Sequence, residues 1–132
     1  MYTILIVDDE RPAQTFLKAI CQKYCPAFDT ILLSGSADDA LRLMAQQHVH
    51  VLVTDISMPG INGIELAQRV RQLYPRTHTV IVSGYAEFEF ARGAIQAGVD
   101  DYLLKPVEIQ SFRQILDRIR ETLDAKSEAK RS

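Results

Sequence analysis

The sequence predicts an α/β fold in which five parallel strands form one sheet covered on both faces by five helices, a doubly wound arrangement. Three observations predict it. Apolar runs of strand length alternate with longer segments of helical period. The runs are mostly Ile, Val and Leu, as a sheet buried on both faces requires. The 132 residues, 47% hydrophobic and 24% charged, suit one globular domain that folds without disulfides or a structural metal.

Taken in order, the first strand is Thr3 to Val7. The first helix opens near Pro12, well placed in an opening turn, and carries Phe16, Leu17, Ile20 and Tyr24 as one apolar stripe whose role is packing. Cys21 and Cys25 lie four apart in that helix with no Cys or His pair at zinc-binding spacing, so they read as reduced cytosolic thiols packed inside. The second strand is Thr30 to Leu33, followed by a helix that Ser36 starts, three residues before Asp39. The third strand, Val51 to Thr54, leads to a helix that Asn62 starts, three residues before Glu65. A fourth strand at Thr79 to Val82, a fourth helix, and a fifth strand at Tyr102 to Leu104 follow. The last helix runs from about Glu108 to Leu123, with Phe112, Ile115, Leu116, Ile119 and Leu123 on its apolar face. Residues 1–124 then form the domain, and Ala125 to Ser132 reads as a frayed polar tail or a truncated linker.

Fifteen basic and seventeen acidic residues give a net charge of -2, with no pull towards nucleic acid or an anionic membrane. The apolar runs are far shorter than a membrane span, and the start lacks a signal-peptide core. The expectation is a cytoplasmic protein that does not itself bind DNA.

In open parallel sheets the ligand site lies beyond the carboxyl ends of the strands, where strand order reverses. Here the first strand runs into Asp8 and Asp9, the third into Asp55, the fourth into Ser83 and the fifth into Lys105. The second ends in Ser34 and Gly35, ordinary turn chemistry left outside the site. With the order 2-1-3-4-5, taken over from flavodoxin and CheY rather than derived, three aspartates meet in one small volume. Such a cluster either raises its own pKa values or binds a cation. Three aspartates against one lysine leave two negative charges, which a hard divalent ion, Mg2+ or Mn2+, cancels. Taken alone, an Asp-Asp pair is more often a cap or solvated turn, Lys105 a surface lysine and Ser83 a turn residue; their meeting at successive strand ends is what points to a site. Asp55 precedes a loop that Pro59 and Gly60 keep out of helix, so its carboxylate is expected to be presented rather than buried. Metal-assisted attack by that carboxylate on a phosphoryl group would give an acyl phosphate. Lys105 would face the phosphoryl oxygens as a point charge, and the Ser83 hydroxyl would donate to one of them.

Four motifs then carry a family resemblance: Val7-Asp8-Asp9-Glu10; Asp55-Ile56-Ser57-Met58-Pro59-Gly60 with Asn62-Gly63; Ser83-Gly84-Tyr85; and Asp101-Tyr102-Leu103-Leu104-Lys105-Pro106. In order and spacing, from Ile4 to about Leu123, the chain resembles the receiver domains of bacterial two-component response regulators, a flavodoxin-like (CheY-like) fold. The resemblance implies that Asp55 is the phosphoacceptor, that Asp9, Asp55 and the backbone carbonyl of Ser57 bind the metal directly, and that Asp8 acts mainly through a metal-bound water. It also implies a cis Lys105-Pro106 bond, a phosphohistidine on a sensor histidine kinase as donor, self-phosphorylation from small phosphodonors and self-hydrolysis, without a conventional enzyme activity. Ser83 and Tyr102 would be the switch residues, and output would pass through the fourth helix, fifth strand and fifth helix, the face on which a homodimer would form. Tyr102 as a plain core aromatic stays open. Ser83 to Ala91 looks like receivers of AraC-type (YesN-like) transcriptional regulators, which implies a C-terminal DNA-binding domain outside this chain. Tyr85, Phe88 and Phe90 either face a partner or, for Phe88, pack inward.

Three rivals are weaker. A haloacid-dehalogenase-type phosphohydrolase needs a second Asp two residues after the nucleophile, where this chain has Ser57. A flavodoxin-like FMN carrier needs a phosphate-cradling loop where Asp8-Asp9-Glu10 would repel the phosphate. A receiver used only for docking would share the sequence, yet has no need of a complete site.

Overall fold

A computed structural model describes residues 1–84 and 88–131, with the side chains of 88–91 and 131 outside the description. Tyr85 and the side chains of Phe88 and Phe90 therefore lie outside the described residues. The elements alternate as β1 (Thr3–Val7), α1 (Arg11–Tyr24), β2 (Thr30–Ser34), α2 (Ala37–Gln46), β3 (Val51–Asp55), α3 (Gly63–Leu73), β4 (His78–Ser83), α4 (Phe88–Ala97), β5 (Asp101–Leu104) and α5 (Ile109–Arg131). The strands form one parallel sheet in the order β2-β1-β3-β4-β5, as expected.

Side-chain alternation divides the core. Ile4, Ile6, Val51, Val53, Val80 and Val82 point to the face covered by α1 and α5, where Leu17, Ile20, Phe112 and Leu116 meet them. Leu5, Val7 and Leu52 point the other way, onto Ala40 and Met44 of α2 and Leu66 and Val70 of α3. Ile81 continues that face under Ala94 and Ala97 of α4. The two helix starts behave as expected: the Ser36 hydroxyl accepts from the Asp39 amide at 3.2 Å, and Asn62 Oδ1 from the Glu65 amide at 2.9 Å.

Three expectations need correction. Strands β2, β3 and β4 each end one residue later than read, on Ser34, Asp55 and Ser83, because the ladder continues through those polar residues: Val7 pairs with Ser34, Asp55 with Val82 and Ser83 with Leu104. Phe16 is 44% exposed; the buried stripe of α1 is centred on Leu17, Ile20 and Cys21, and a residue one step before Leu17 is turned roughly 100° away. The segment after Leu123 is not frayed. Helix α5 continues to Arg131, because Ala, Lys and Glu there favour helix without needing burial. Both cysteines are buried, and burial together with Cys25 raises the Cys21 thiol to about 12, so it stays protonated.

Phe112 is fully buried between α1, α5 and the sheet. Phe112→Ala is expected to cost about 3–5 kcal/mol in urea unfolding. Phe16→Ala, on the same face of the sheet but largely exposed, is expected to change stability by about 0.5 kcal/mol. Equal losses would contradict the packing described.

Candidate functional site

The parallel register brings Asp8, Asp55, Ser83 and Lys105 to one edge, the carboxyl ends of β1, β3, β4 and β5. Since Val82 pairs with Asp55, Ser83 stands one step beyond it on the neighbouring strand, fully buried. Lys105 follows β5, its backbone amide donating to the Ser83 carbonyl at 2.8 Å. The Lys105-Pro106 bond is cis.

The Lys105 ammonium joins the two strands that carry buried acids. Its Nζ donates to Asp8 Oδ2 at 2.9 Å and to Asp55 Oδ2 at 3.3 Å. The other oxygen of each acid accepts a backbone amide: Asp8 Oδ1 from Glu10 at 2.9 Å, Asp55 Oδ1 from Ile56 at 2.8 Å. Asp55 is only 8% exposed, so the expectation of a presented carboxylate is corrected. The strand carries the residue to its last rung, and Lys105 closes over it. Burial raises the Asp55 pKa; Lys105 pulls it down and Asp8 pushes it up again, and the balance stays above the ordinary 3.8. Burial likewise works against the Lys105 charge, but the Asp8 hydrogen bond and the Asp55 charge outweigh it and hold the ammonium charged.

Two supports were not read from the sequence. Gln14, one turn into α1, donates from Nε2 to the Asp8 carbonyl at 2.6 Å and to the Ser34 carbonyl at 3.0 Å, tying the loop after β1 to the end of β2. Ser34, set aside as turn chemistry, is buried, and its carbonyl also accepts the Asp8 amide at 3.0 Å. Only the strand order brings Gln14 to these carbonyls, and no local pattern marks it. Gly63 is a third support. A Cβ on it would lie 1.9 Å from the Asp55 carbonyl oxygen, so the start of α3 sits directly against the acid-bearing strand end.

The carboxylates of Asp8, Asp9 and Glu10 have oxygens within 4.8 Å of one another, the latter two exposed. Of the metal ligands expected from the sequence (Asp8, Asp9, Asp55 and the Ser57 carbonyl), this group holds Asp8 and Asp9, with Glu10 in addition. These all-oxygen, partly solvated donors fit a hard divalent cation that keeps some of its waters. Tyr102, half-buried, packs beside Ile81 and Ala94.

Fold and site together describe two buried acids bridged by a lysine at the carboxyl edge of a doubly wound sheet, and comparison with known proteins gives the class. Residues 4–117 match the model of the response regulator receiver domain, and the chain belongs to that family, the receivers of two-component response regulators. Among its relatives, a transcriptional regulatory protein HptR of Staphylococcus aureus is 37% identical over 93% of this chain and 48% of its own length. An uncharacterized transcriptional regulatory protein YesN of Bacillus subtilis is 33% identical over 90% of this chain and 32% of its own. The chain thus spans about a third to about a half of the length of these curated relatives. The receiver domain of AraT, a response regulator from Geobacillus stearothermophilus, superposes with a TM-score of 0.85 at 30% identity, covering 96% of this chain and 98% of that one. No helix among the described residues is long and apolar enough to cross a membrane.

Because the folded state holds the Asp55 proton more tightly than the unfolded chain, the stability this contributes is complete below pH 3.8 and is lost as pH rises through the raised folded pKa. In metal-free buffer at neutral pH, Asp55→Asn is therefore expected to raise the thermal midpoint. The gain should vanish as pH falls through that pKa; a gain that persists in acid would refute the burial argument. Gly63→Ala should cost about 1–3 kcal/mol, since backbone must move to admit the methyl group; unchanged thermal unfolding would show that α3 does not press on this strand end.

Proposed function

We propose that this receiver accepts a phosphoryl group on Asp55 and thereby switches an output surface. The observation that carries the reading is the Lys105 bridge: one ammonium reaches both Asp8 and Asp55 at the reversal point of the sheet. In the proposed step a carboxylate oxygen of Asp55 attacks phosphorus, the bond from phosphorus to the donor breaks, and the leaving group takes a proton. With a phosphohistidine donor on a sensor histidine kinase, the leaving group is the imidazole. The product is an acyl phosphate that water later hydrolyses, so the domain promotes its own modification without being a conventional enzyme.

The residues divide the work. Lys105 turns from the Asp55 carboxylate to the incoming phosphoryl oxygens as a point charge. The Ile56 amide holds Asp55 Oδ1 and so fixes the rotamer of the nucleophile. Asp8, Asp9, Asp55 and the Ser57 carbonyl would hold Mg2+ or Mn2+, with Glu10 beside them. When bound, the ion offsets the repulsion between carboxylate and phosphoryl group. Ser83 would donate its hydroxyl to a phosphoryl oxygen, and with Tyr102 it would bias one of two packings of α4, β5 and α5.

The relatives are named transcriptional regulatory proteins, which supports reading this receiver as part of a transcriptional response regulator; in this proposal it is the N-terminal part, with a DNA-binding domain outside this chain. The α4, β5 and α5 face would then form a homodimer on phosphorylation, in a cytoplasmic protein.

Intact-mass spectrometry after incubation with acetyl phosphate tests the chemistry. Wild type is expected to gain one phosphoryl group that needs Mg2+ and is lost in alkali, while Asp55→Asn gains none. A folded wild type that stays unmodified in excess Mg2+ would leave a docking-only receiver as the better reading.

A further inference from the structure

The opposite edge of the sheet, at the amino ends of β1, β3 and β4, gathers charge of the other sign. A cavity of about 530 Å³ there is lined by Tyr2, His48, His50, Arg76, Lys126 and Lys130, among others; no carboxylate among the described residues lines it, although the Tyr2 hydroxyl donates to Asp124 beside it. A second cavity of about 310 Å³ shares Arg76 and Lys126 and adds Arg71 and His78. Asp100 is the one acid lining it, and that carboxylate already faces His78 Nδ1 at 3.1 Å and accepts the Thr79 amide at 2.8 Å.

We infer that this amino-terminal edge is a binding site for a small, multiply charged oxyanion of the phosphate class, gripped by Arg76, Lys126 and Lys130 beside the imidazoles of His48 and His50. Several observations carry this. Arg42, Lys105, Arg118 and Arg120 pair with acids, whereas most of the other described Lys and Arg side chains do not, so the convergence of unpaired cations on one cavity is the informative feature. Among the described residues, Arg76, Lys126 and Lys130 make no ion pair, and they reach one cavity from the loop before β4 and from α5. All three histidines of the chain stand at the same edge. His48 and His50 meet edge to face with ring centroids 4.3 Å apart.

The hydrogen bonding of the imidazoles is equally specific. His50 Nδ1 accepts the Thr3 amide at 3.0 Å, which leaves the hydrogen on Nε2 as a donor. His78 Nε2 is buried and has no hydrogen-bond partner among the described residues, while its Nδ1 is committed to Asp100. Burial first, then the nearby charges of Arg76 and Lys130, hold the His48 pKa below its usual value. An arginine fork with two lysines is the donor set that tetrahedral oxyanions select. The volume admits a phosphate ester or pyrophosphate, with Tyr2 and the imidazoles as its flat wall. The site stands at the far end of the strands from Asp55 and needs none of its chemistry.

The test uses inorganic pyrophosphate in metal-free buffer at constant ionic strength, followed by NMR of the imidazole side chains. Because every histidine in the chain belongs to this edge, those signals report on it alone. Saturable shifts of His48 and His50 are expected. Arg76→Ala and Lys126→Ala should each weaken binding by about tenfold, the size of one lost charge-assisted contact. Lys23→Ala, an exposed lysine on α1, should leave binding unchanged, and all three exposed positions preserve the core, as their amide spectra will show. Shifts that grow without saturating and are matched by sodium chloride would reduce the effect to screening and overturn the assignment. Equal affinity in Arg76→Ala, Lys126→Ala and wild type would overturn it as well.

Discussion

Lys105 spans Asp8 and Asp55, two buried carboxylates on neighbouring strands, and the working edge of the molecule is arranged around that one cation. Removing each charge from water costs several kcal/mol, and one ammonium between two carboxylates leaves the set negative. The backbone amides of Glu10 and Ile56 occupy the outer oxygens, so local geometry is satisfied while charge is not. Burial, with Asp8 adding to it against the pull of Lys105, holds the Asp55 pKa above the ordinary value, and the uncancelled charge is why a site rich in hydrogen bonds still suits a cation. Everything nearby serves to keep the two acids in register: Gln14 ties the loop after β1 to β2, and Gly63 lets α3 abut the Asp55 carbonyl.

Much of this was legible in the sequence because the fold is locally consistent. Strand β1 has the expected ends, the caps at Ser36 and Asn62 work as their spacing suggests, and the apolar face of α5 buries all five residues assigned to it. The errors share a cause. Reading polarity as loop stopped β2, β3 and β4 one residue short, because Ser34, Asp55 and Ser83 are polar yet lie on the ladder. The same habit made Asp55 look exposed, when the strand carries it under Lys105. At a site, burial and polarity coincide, and there local pattern misleads.

Other features were invisible for a different reason. Gln14 acts across 20 residues on the Ser34 carbonyl, and His78 faces Asp100 across 22; no window of sequence contains either contact. Nor does amphipathic period report the last two turns of α5, which stay helical through propensity alone. The basic edge arises in the same way, since Arg76, in the loop before β4, and Lys126, on α5, are 50 positions apart yet line one cavity.

The two edges give the domain a lengthwise electrical polarity that its net charge conceals. Asp8, Asp9, Glu10 and Asp55 lie at one end of the strands, Arg76, Lys126 and Lys130 at the other, and five- to six-residue strands separate them by roughly 15–20 Å. That exceeds the Debye length of about 8 Å at physiological salt, so the ends are felt separately. A charged partner approaching such a dipole is turned end-on before any surface touches, and the fraction of collisions that arrive correctly oriented rises. Adding or removing charge at the acidic end therefore alters the torque on every later encounter, including encounters at surfaces the modified side chain never reaches.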